Sequence, residues 1–377
     1  MRHATFRDTY AEARTLFIDS VEAAGGVRFS FAFDHATGPG DLPLSIDAAR
    51  FGPQDAENVL LCVSGTHGAE GFPGSAVQSD WIQSHGADRS GASGNSAVWM
   101  VHAVNPYGFA WQMRGNEDHI DLNRNWVNFK EGAPDNPEFD GLVDLLKGYS
   151  GAPEDQSQVG KGLFALGAEK GAAWLESVLT RGQYAHPNHM HYGGKGQAAS
   201  RRVLSELVQS KMPSARRVAY VDFHSGTPGL AELIFLCFSP PQSEAFARAS
   251  SWWGREHLDP ATVEAKWGGQ RPMRHGLMYW GLEEVFGADV EFAGAVVEFG
   301  TVEKDERMRP LMASLLEAWI RREGVANVPD VEQHLEFLRW CFDRPGDADW
   351  ERTVLERGAW VLRRALIGLE AWATEGR

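Results

Sequence analysis

Val63-Ser-Gly-Thr-His67-Gly-Ala-Glu70-Gly-Phe-Pro-Gly74 sits where one structural pattern ends and another begins. Before it runs Val59-Leu-Leu-Cys-Val63, a continuous apolar stretch of the kind that forms a strand buried on both faces. After it, residues 73–84 carry a helical pattern. A His and a Glu three residues apart therefore stand where a buried strand gives way to a helix, and in open α/β sheets ligands bind at the carboxyl ends of strands. At that spacing both side chains can face one point, giving two of the three protein ligands of a zinc site that keeps a position open for water. His-x-x-Glu alone is also what a helix N-terminus with a solvated Glu in its first turn looks like.

The same arrangement recurs downstream. Val221-Asp-Phe-His224-Ser-Gly ends another apolar strand with a His before a Gly-containing turn, so His224 can supply the third ligand. Asp222, two residues earlier, points the same way along the strand and can hold an imidazole in position. Gly294-Ala-Val-Val-Glu298-Phe-Gly-Thr301 places a carboxylate at the end of a third apolar run. A buried Glu needs a partner or a task. A general base beside an activated water is such a task, and an ion pair with Arg114 or Arg124 is the structural alternative.

Around these runs, strand patterns near 27–33, 44–51, 58–64, 97–104, 218–223, 233–238 and 295–299 alternate with helical ones near 73–84, 139–147, 163–180, 200–211 and 243–257. A first helix is predicted over 5–24, stopped by Gly25-Gly26. This alternation implies an α/β fold with a mixed or largely parallel sheet. Residues 148–196 are Gly-rich and polar with one good helix, and read as an insertion. Beyond Glu298 the chain turns helical, at 305–322, 330–342 and 349–374, with Trp340, Trp350, Trp360 and Trp372 at positions suited to packing.

The decisive motif is Val104-Asn-Pro-Tyr-Gly-Phe-Ala-Trp-Gln-Met-Arg114-Gly-Asn-Glu-Asp-His-Ile-Asp121-Leu-Asn123-Arg124-Asn-Trp126. Asp-Leu-Asn-Arg-Asn-Trp, with Asn-Pro-x-Gly and Arg114 before it, resembles the substrate-binding signature of the zinc carboxypeptidases. The resemblance covers His67 to Thr301, four motifs in the right order, and leaves out the N-terminal segment, the insertion and the C-terminal helices. It implies a three-layer α/β/α fold of the phosphorylase/hydrolase-like type, with a central mixed sheet of roughly eight strands. The whole of 1–377 would be one catalytic domain, with an insertion at about 148–196 and helical additions at about 302–377.

By the same resemblance His67, Glu70 and His224 bind one zinc ion per chain, and Glu298 promotes the attacking water. Arg114 polarises the scissile carbonyl, and Asn123 with Arg124 grips the substrate's terminal carboxylate. The physical fit is good, since a guanidinium offers paired donors matched to a carboxylate and stays charged at any working pH. The chain departs from the family in the long gap between Glu70 and His224 and in lacking a firm counterpart of its mobile Tyr, for which Tyr279 is the candidate.

The expected reaction is hydrolysis of an amide bond next to a free carboxylate, as in a metallocarboxypeptidase, on a peptide substrate. The alternative is deacylation of an N-acyl amino acid, as in the aspartoacylase and succinylglutamate desuccinylase branch, which Arg271 or Arg274 pointing into the pocket would favour. A binding protein on the same fold is the reading from a different class, opposed by the intact metal set and Glu298.

Composition narrows the field further. A net charge of −15 with no Lys/Arg cluster argues against a nucleic-acid partner. No apolar run approaches the ~20 residues of a membrane span, and the N-terminus lacks a signal-peptide core, so the cytoplasm is the default compartment. Cys62, Cys237 and Cys341, three in all, do not make a disulfide framework. The fourteen tryptophans read as packing rather than stacking platforms, because no basic groove accompanies them. His186, His189 and His191 lie close in sequence, but their spacing on a loop fixes no metal geometry. They read as the rim of a pocket.

Overall fold

The computed structural model describes residues 3–90, 94–258, 273–303 and 308–375. Seven strands form one mixed sheet: β1 (Val27–Ala32), β2 (Ser45–Phe51), β3 (Asn58–Ser64), β4 (Ser96–His102), β5 (Arg217–Gly229), β6 (Leu233–Leu236) and β7 (Glu291–Val302). Their order across the sheet is β1-β2-β4-β3-β5-β7-β6. The inner strands β4, β3, β5 and β7 run parallel, while β1, β2 and β6 pair antiparallel at the edges. Seven strands among the described residues stand against the roughly eight that the resemblance implies.

β3 is buried at every position, as its unbroken apolar run requires of a strand covered on both sides. Its alternate side chains enter two different cores. Leu60 and Cys62 join one with the helices α1 (Tyr10–Ala23), α2 (Gly71–Trp81), a later helix at Glu244–Trp253 and the last long helix at Ala348–Trp372. Val59, Leu61 and Val63 join the other, with the helices at Ala199–Lys211 and Met278–Phe286. The architecture is thus helix, sheet, helix.

A third apolar cluster unites two of the regions outside the motif match, the insertion and the C-terminal helices. Val159, Leu163, Val178 and Leu179 come from the insertion helices at Pro153–Lys170 and Ala172–Thr180. Leu315, Leu316, Ile320, Leu338 and Phe342 come from the C-terminal helices at Arg309–Glu323 and Val331–Phe342. Ala69 and Met113, from the loops that carry the candidate site residues, lie in the same cluster. The one helix expected over 163–180 is two, because Gly171 sits at φ 98° and breaks the ladder. Trp350 and Trp372 are buried, and the Trp350 indole donates to the Gly300 carbonyl at 2.8 Å. Among the described residues no helix is long and apolar enough to cross a membrane.

The chain leaves β3 for β4 on one side and later returns to β5 on the other. The carboxyl ends of β3 and β5 therefore border the crevice where strand order reverses, which is where open α/β sheets place ligands.

Candidate metal centre

His67 lies just past the end of β3, and Glu70 closes the 3-10 turn that leads into α2. That turn packs against backbone: a Cβ on Gly68 would lie 1.8 Å from the Gly108 carbonyl carbon, so only glycine lets the two loops approach this closely. His224 lies on β5, whose register pairs it with Glu298 on β7. Side chains at paired positions of neighbouring strands share a face, so Glu298 stands beside the cluster.

Glu70 is the centre of convergence. Its Oε1 lies 3.0 Å from His67 Nδ1 and its Oε2 lies 2.8 Å from His224 Nδ1. One ligand atom from each of the three buried residues falls within 4.8 Å of the others, and among the described residues this is the one His/Cys/Asp/Glu group so arranged. Burial alone pushes the Glu70 carboxyl up, but His67 and His224 outweigh it and hold the group below the usual carboxylate range. Burial likewise opposes charge on His224, yet Asp222 and Glu70 on either side raise it well above an ordinary imidazole.

The far nitrogens are braced by carboxylates. His67 Nε2 lies 3.0 Å from Asp121 Oδ1, and His224 Nε2 lies 2.9 Å from Asp222 Oδ2. Thr66 and Tyr220 hydroxyls donate to Asp222 at 3.0 and 3.2 Å. Each ring thus turns Nδ1 toward Glu70 and Nε2 toward a fixed acid, the arrangement that sets the tautomer and orientation of a metal-ligating His. Two imidazoles and one carboxylate of this kind fit a zinc ion, with a further coordination position left for a non-protein ligand.

Arg114 is half-buried behind Glu70. Its Nη1 donates to Glu70 Oε1 at 3.0 Å and its Nε to Asp121 Oδ2 at 3.0 Å. Burial works against its charge, but Asp121, Glu70 and Glu298 raise its pKa further above the usual guanidinium value. Side chains clamp the backbone around it. Glu317 accepts from the Arg114 and Gly115 amides at 2.5 and 3.0 Å, and Arg321 donates to the Gly115 and Asn116 carbonyls, each at 2.8 Å. Asn105 Nδ2 holds the Arg114 carbonyl at 3.1 Å. Glu317 and Arg321 belong to the helix at Arg309–Glu323, so a region outside the motif match sets the place of Arg114.

Other sequence-derived candidates are placed differently. Arg124 is buried and donates through Nε and Nη2 to the Thr180 carbonyl at 3.0 and 2.7 Å and through Nη1 to the Asn123 carbonyl at 2.6 Å. It ties the insertion to the core. Burial, with Arg274 and Arg114 nearby and against the pull of Asp121, lowers it to about 10. Asn123 receives the Met278 amide on Oδ1 at 2.9 Å. Tyr279 is enclosed by Tyr220, Phe238 and Phe292, with its hydroxyl 2.7 Å from Ser239 Oγ, and does not join the His67, Glu70 and His224 group. Arg114 pairs with Glu70 and Asp121, and Arg124 with carbonyls, rather than with Glu298.

Arg274 feels the charges of Glu298, Arg114 and Asp121, and its buried Nε has no hydrogen-bond partner among the described residues. Arg271 lies outside the described residues. His186 bonds Asp140 at 2.7 Å and His191 bonds Asp121 at 3.1 Å, so the insertion histidines do not gather into a second metal group. His189 and His191, though not His186, border a cleft with Arg114 and Asp121. Sequence reasoning missed Asp121, Glu317 and Arg321. Asp121 lay inside the quoted motif, whereas nothing local marks a Glu and an Arg four apart on an amphipathic helix as holding a distant loop.

The solved structures to which the chain is similar are carboxypeptidase-like folds. Bovine thrombin-activatable fibrinolysis inhibitor in complex with tick carboxypeptidase inhibitor is 12% identical, covering 97% of this chain and 98% of that one, with a TM-score of 0.45. Carboxypeptidase A from Helicoverpa armigera is 11% identical over 94% of this chain and 73% of that one, with a TM-score of 0.41. Succinylglutamate desuccinylase from Chromobacterium violaceum is 13% identical over 84% and 76%, with a TM-score of 0.35. No curated protein matches the sequence. A family model described as a protein of unknown function, DUF2817, matches residues 6–357, and the chain belongs to that family.

Proposed function

We propose that this protein is a zinc-dependent hydrolase that cleaves an amide bond adjacent to a free carboxylate, in the manner of a metallocarboxypeptidase. The observation that carries the reading is the convergence of one ligand atom each from His67, Glu70 and His224, within 4.8 Å, under the arms of Asp121 and Asp222. Zinc held there would supply Lewis acidity, polarising a carbonyl and lowering the pKa of water.

The remaining chemistry belongs to the chain. Glu298, in register with His224, accepts a proton from the attacking water on its carboxylate and returns it to the leaving nitrogen. Arg114 presents a fixed positive charge where negative charge develops on the carbonyl oxygen. Glu70 and Asp121 hold its Nη1 and Nε, and the Glu317 and Arg321 clamp holds its backbone. Asn123 and Arg124 match the family's carboxylate-gripping pair by sequence, while the Arg124 guanidinium itself donates to the Thr180 and Asn123 carbonyls.

The test is a screen of zinc-loaded protein on peptides with free and amidated C-termini and on N-acyl amino acids. Hydrolysis confined to substrates with a free carboxylate, and lost in Glu298→Gln, is the expected result. Cleavage that ignores the carboxylate, or survives Glu298→Gln, contradicts the assignment.

A further inference from the structure

We propose that the insertion serves the metal centre through His191, a positioning residue that holds Asp121 and so orients both His67 and Arg114. The inference rests on the reading of His67, Glu70 and His224 as zinc ligands.

Asp121 is fully buried and its two oxygens are shared among four donors. Oδ1 lies 3.0 Å from His67 Nε2 and 2.9 Å from the Asn123 amide. Oδ2 lies 3.0 Å from Arg114 Nε and 3.1 Å from His191 Nδ1. His191 is the one of these from the insertion. Without it Oδ2 would be held by Arg114 alone, and the carboxylate could rotate away from His67. A His that only filled space would have no need to direct a ring nitrogen at this shared acid.

The backbone around His191 is built to deliver the ring. It is buried at φ 54°, the left-handed region that a non-glycine residue adopts at a cost and keeps only where its surroundings impose it. The surroundings do. Gln183 donates its amide to the His191 carbonyl at 3.1 Å and its side-chain nitrogen to the His186 and Met190 carbonyls at 2.8 and 3.2 Å. The Asp121 amide donates to the Tyr192 carbonyl at 2.8 Å, and Asn125 Nδ2 to the Gly193 and Gly196 carbonyls, each at 2.8 Å. Main chain and side chain of the insertion's end therefore close on the same aspartate.

Zinc affinity, measured by competition with a chromophoric chelator, separates this role from a merely structural one. His191→Gly removes the ring at a φ that glycine adopts without strain, and His191→Asn restores a side-chain N–H donor in a residue that tolerates the same φ. Outer partners of metal-ligating histidines are worth about 10–100-fold in affinity. The expected result is about tenfold weaker zinc binding in folded His191→Gly, with His191→Asn close to the unchanged protein. Should His191→Gly not fold, His191→Asp, which sets a carboxylate against Asp121, is expected to weaken zinc at least as much. Unchanged zinc affinity in the folded glycine or aspartate variant overturns the proposal while leaving the zinc site intact. An unsubstituted protein that binds no zinc overturns the proposal and the zinc reading together.

Discussion

Glu298 and His224 are register partners on adjacent parallel strands, β7 and β5, so a carboxylate and a candidate ligand imidazole emerge side by side on one face of the sheet. The spacing of neighbouring strands, about 4.8 Å, is thereby built into their relation. A base placed by strand register needs no loop movement to reach its position. Glu298→Gln is accordingly expected to leave zinc binding unchanged and to lower kcat by about 10²–10⁴-fold, the range for loss of a general base. Metal content and turnover measured on one preparation check both halves.

The Glu317–Arg321 pair is an ion pair at 3.0 Å with both side chains nearly buried. Glu317→Ala removes two acceptors from the Arg114 loop and leaves Arg321 uncompensated, so a loss of about 3 kcal/mol is expected in urea unfolding. Activity should fall further than zinc affinity, because the clamp fixes Arg114 rather than a ligand. Equal losses in both would count against that division of roles.

Gly68→Ala is expected to be among the most damaging small substitutions in the chain. Its Cβ would lie 1.8 Å from the Gly108 carbonyl carbon and 2.2 Å from the Phe109 nitrogen, both backbone atoms that cannot swing aside. Relieving the clash means moving the turn that carries Glu70. A loss of about 3 kcal/mol together with impaired zinc uptake is expected, read by thermal unfolding and metal analysis.

His102 supplies a pH test of stability. Burial lowers its pKa from 6.5 to about 4, with Asp47 and Arg14 acting as opposed smaller influences, and its Nε2 lies 2.8 Å from Ser75 Oγ. The folded value lies below the unfolded one, so as pH falls the unfolded chain takes up this proton first. The contribution of neutral His102 is therefore complete above about pH 6.5 and is lost between there and about pH 4, up to about 3 kcal/mol. Urea midpoints from pH 7 to 4.5 should fall less steeply in His102→Gln than in the unsubstituted chain. Parallel slopes would refute this.

Much of this was legible in the sequence, for a physical reason. Val59–Val63, Val218–Phe223 and Ala295–Val297 read as buried strands because a strand covered on both faces cannot alternate, and each delivers His67, His224 or Glu298 at or just beyond its carboxyl end. What stayed hidden depends on contacts between distant segments. His191 meets Asp121 across 70 positions and Glu317 meets Arg114 across 203, separations over which no periodicity or spacing carries information. Arg124 is the reverse case: its motif is plain in the sequence, while the contacts of its donors, the carbonyls of Thr180 and Asn123, depend on where the insertion packs. Tyr279 matched only by position, and its hydroxyl is taken up by Ser239.

The central claim is that His67, Glu70 and His224 form a zinc site, and metal content by mass spectrometry tests it most directly. Protein purified without chelators should carry about one zinc per chain, and His67→Ala with His224→Ala should carry none while keeping its fold. Unsubstituted protein that stays free of metal after zinc is supplied, or a double variant that retains it, would contradict the account.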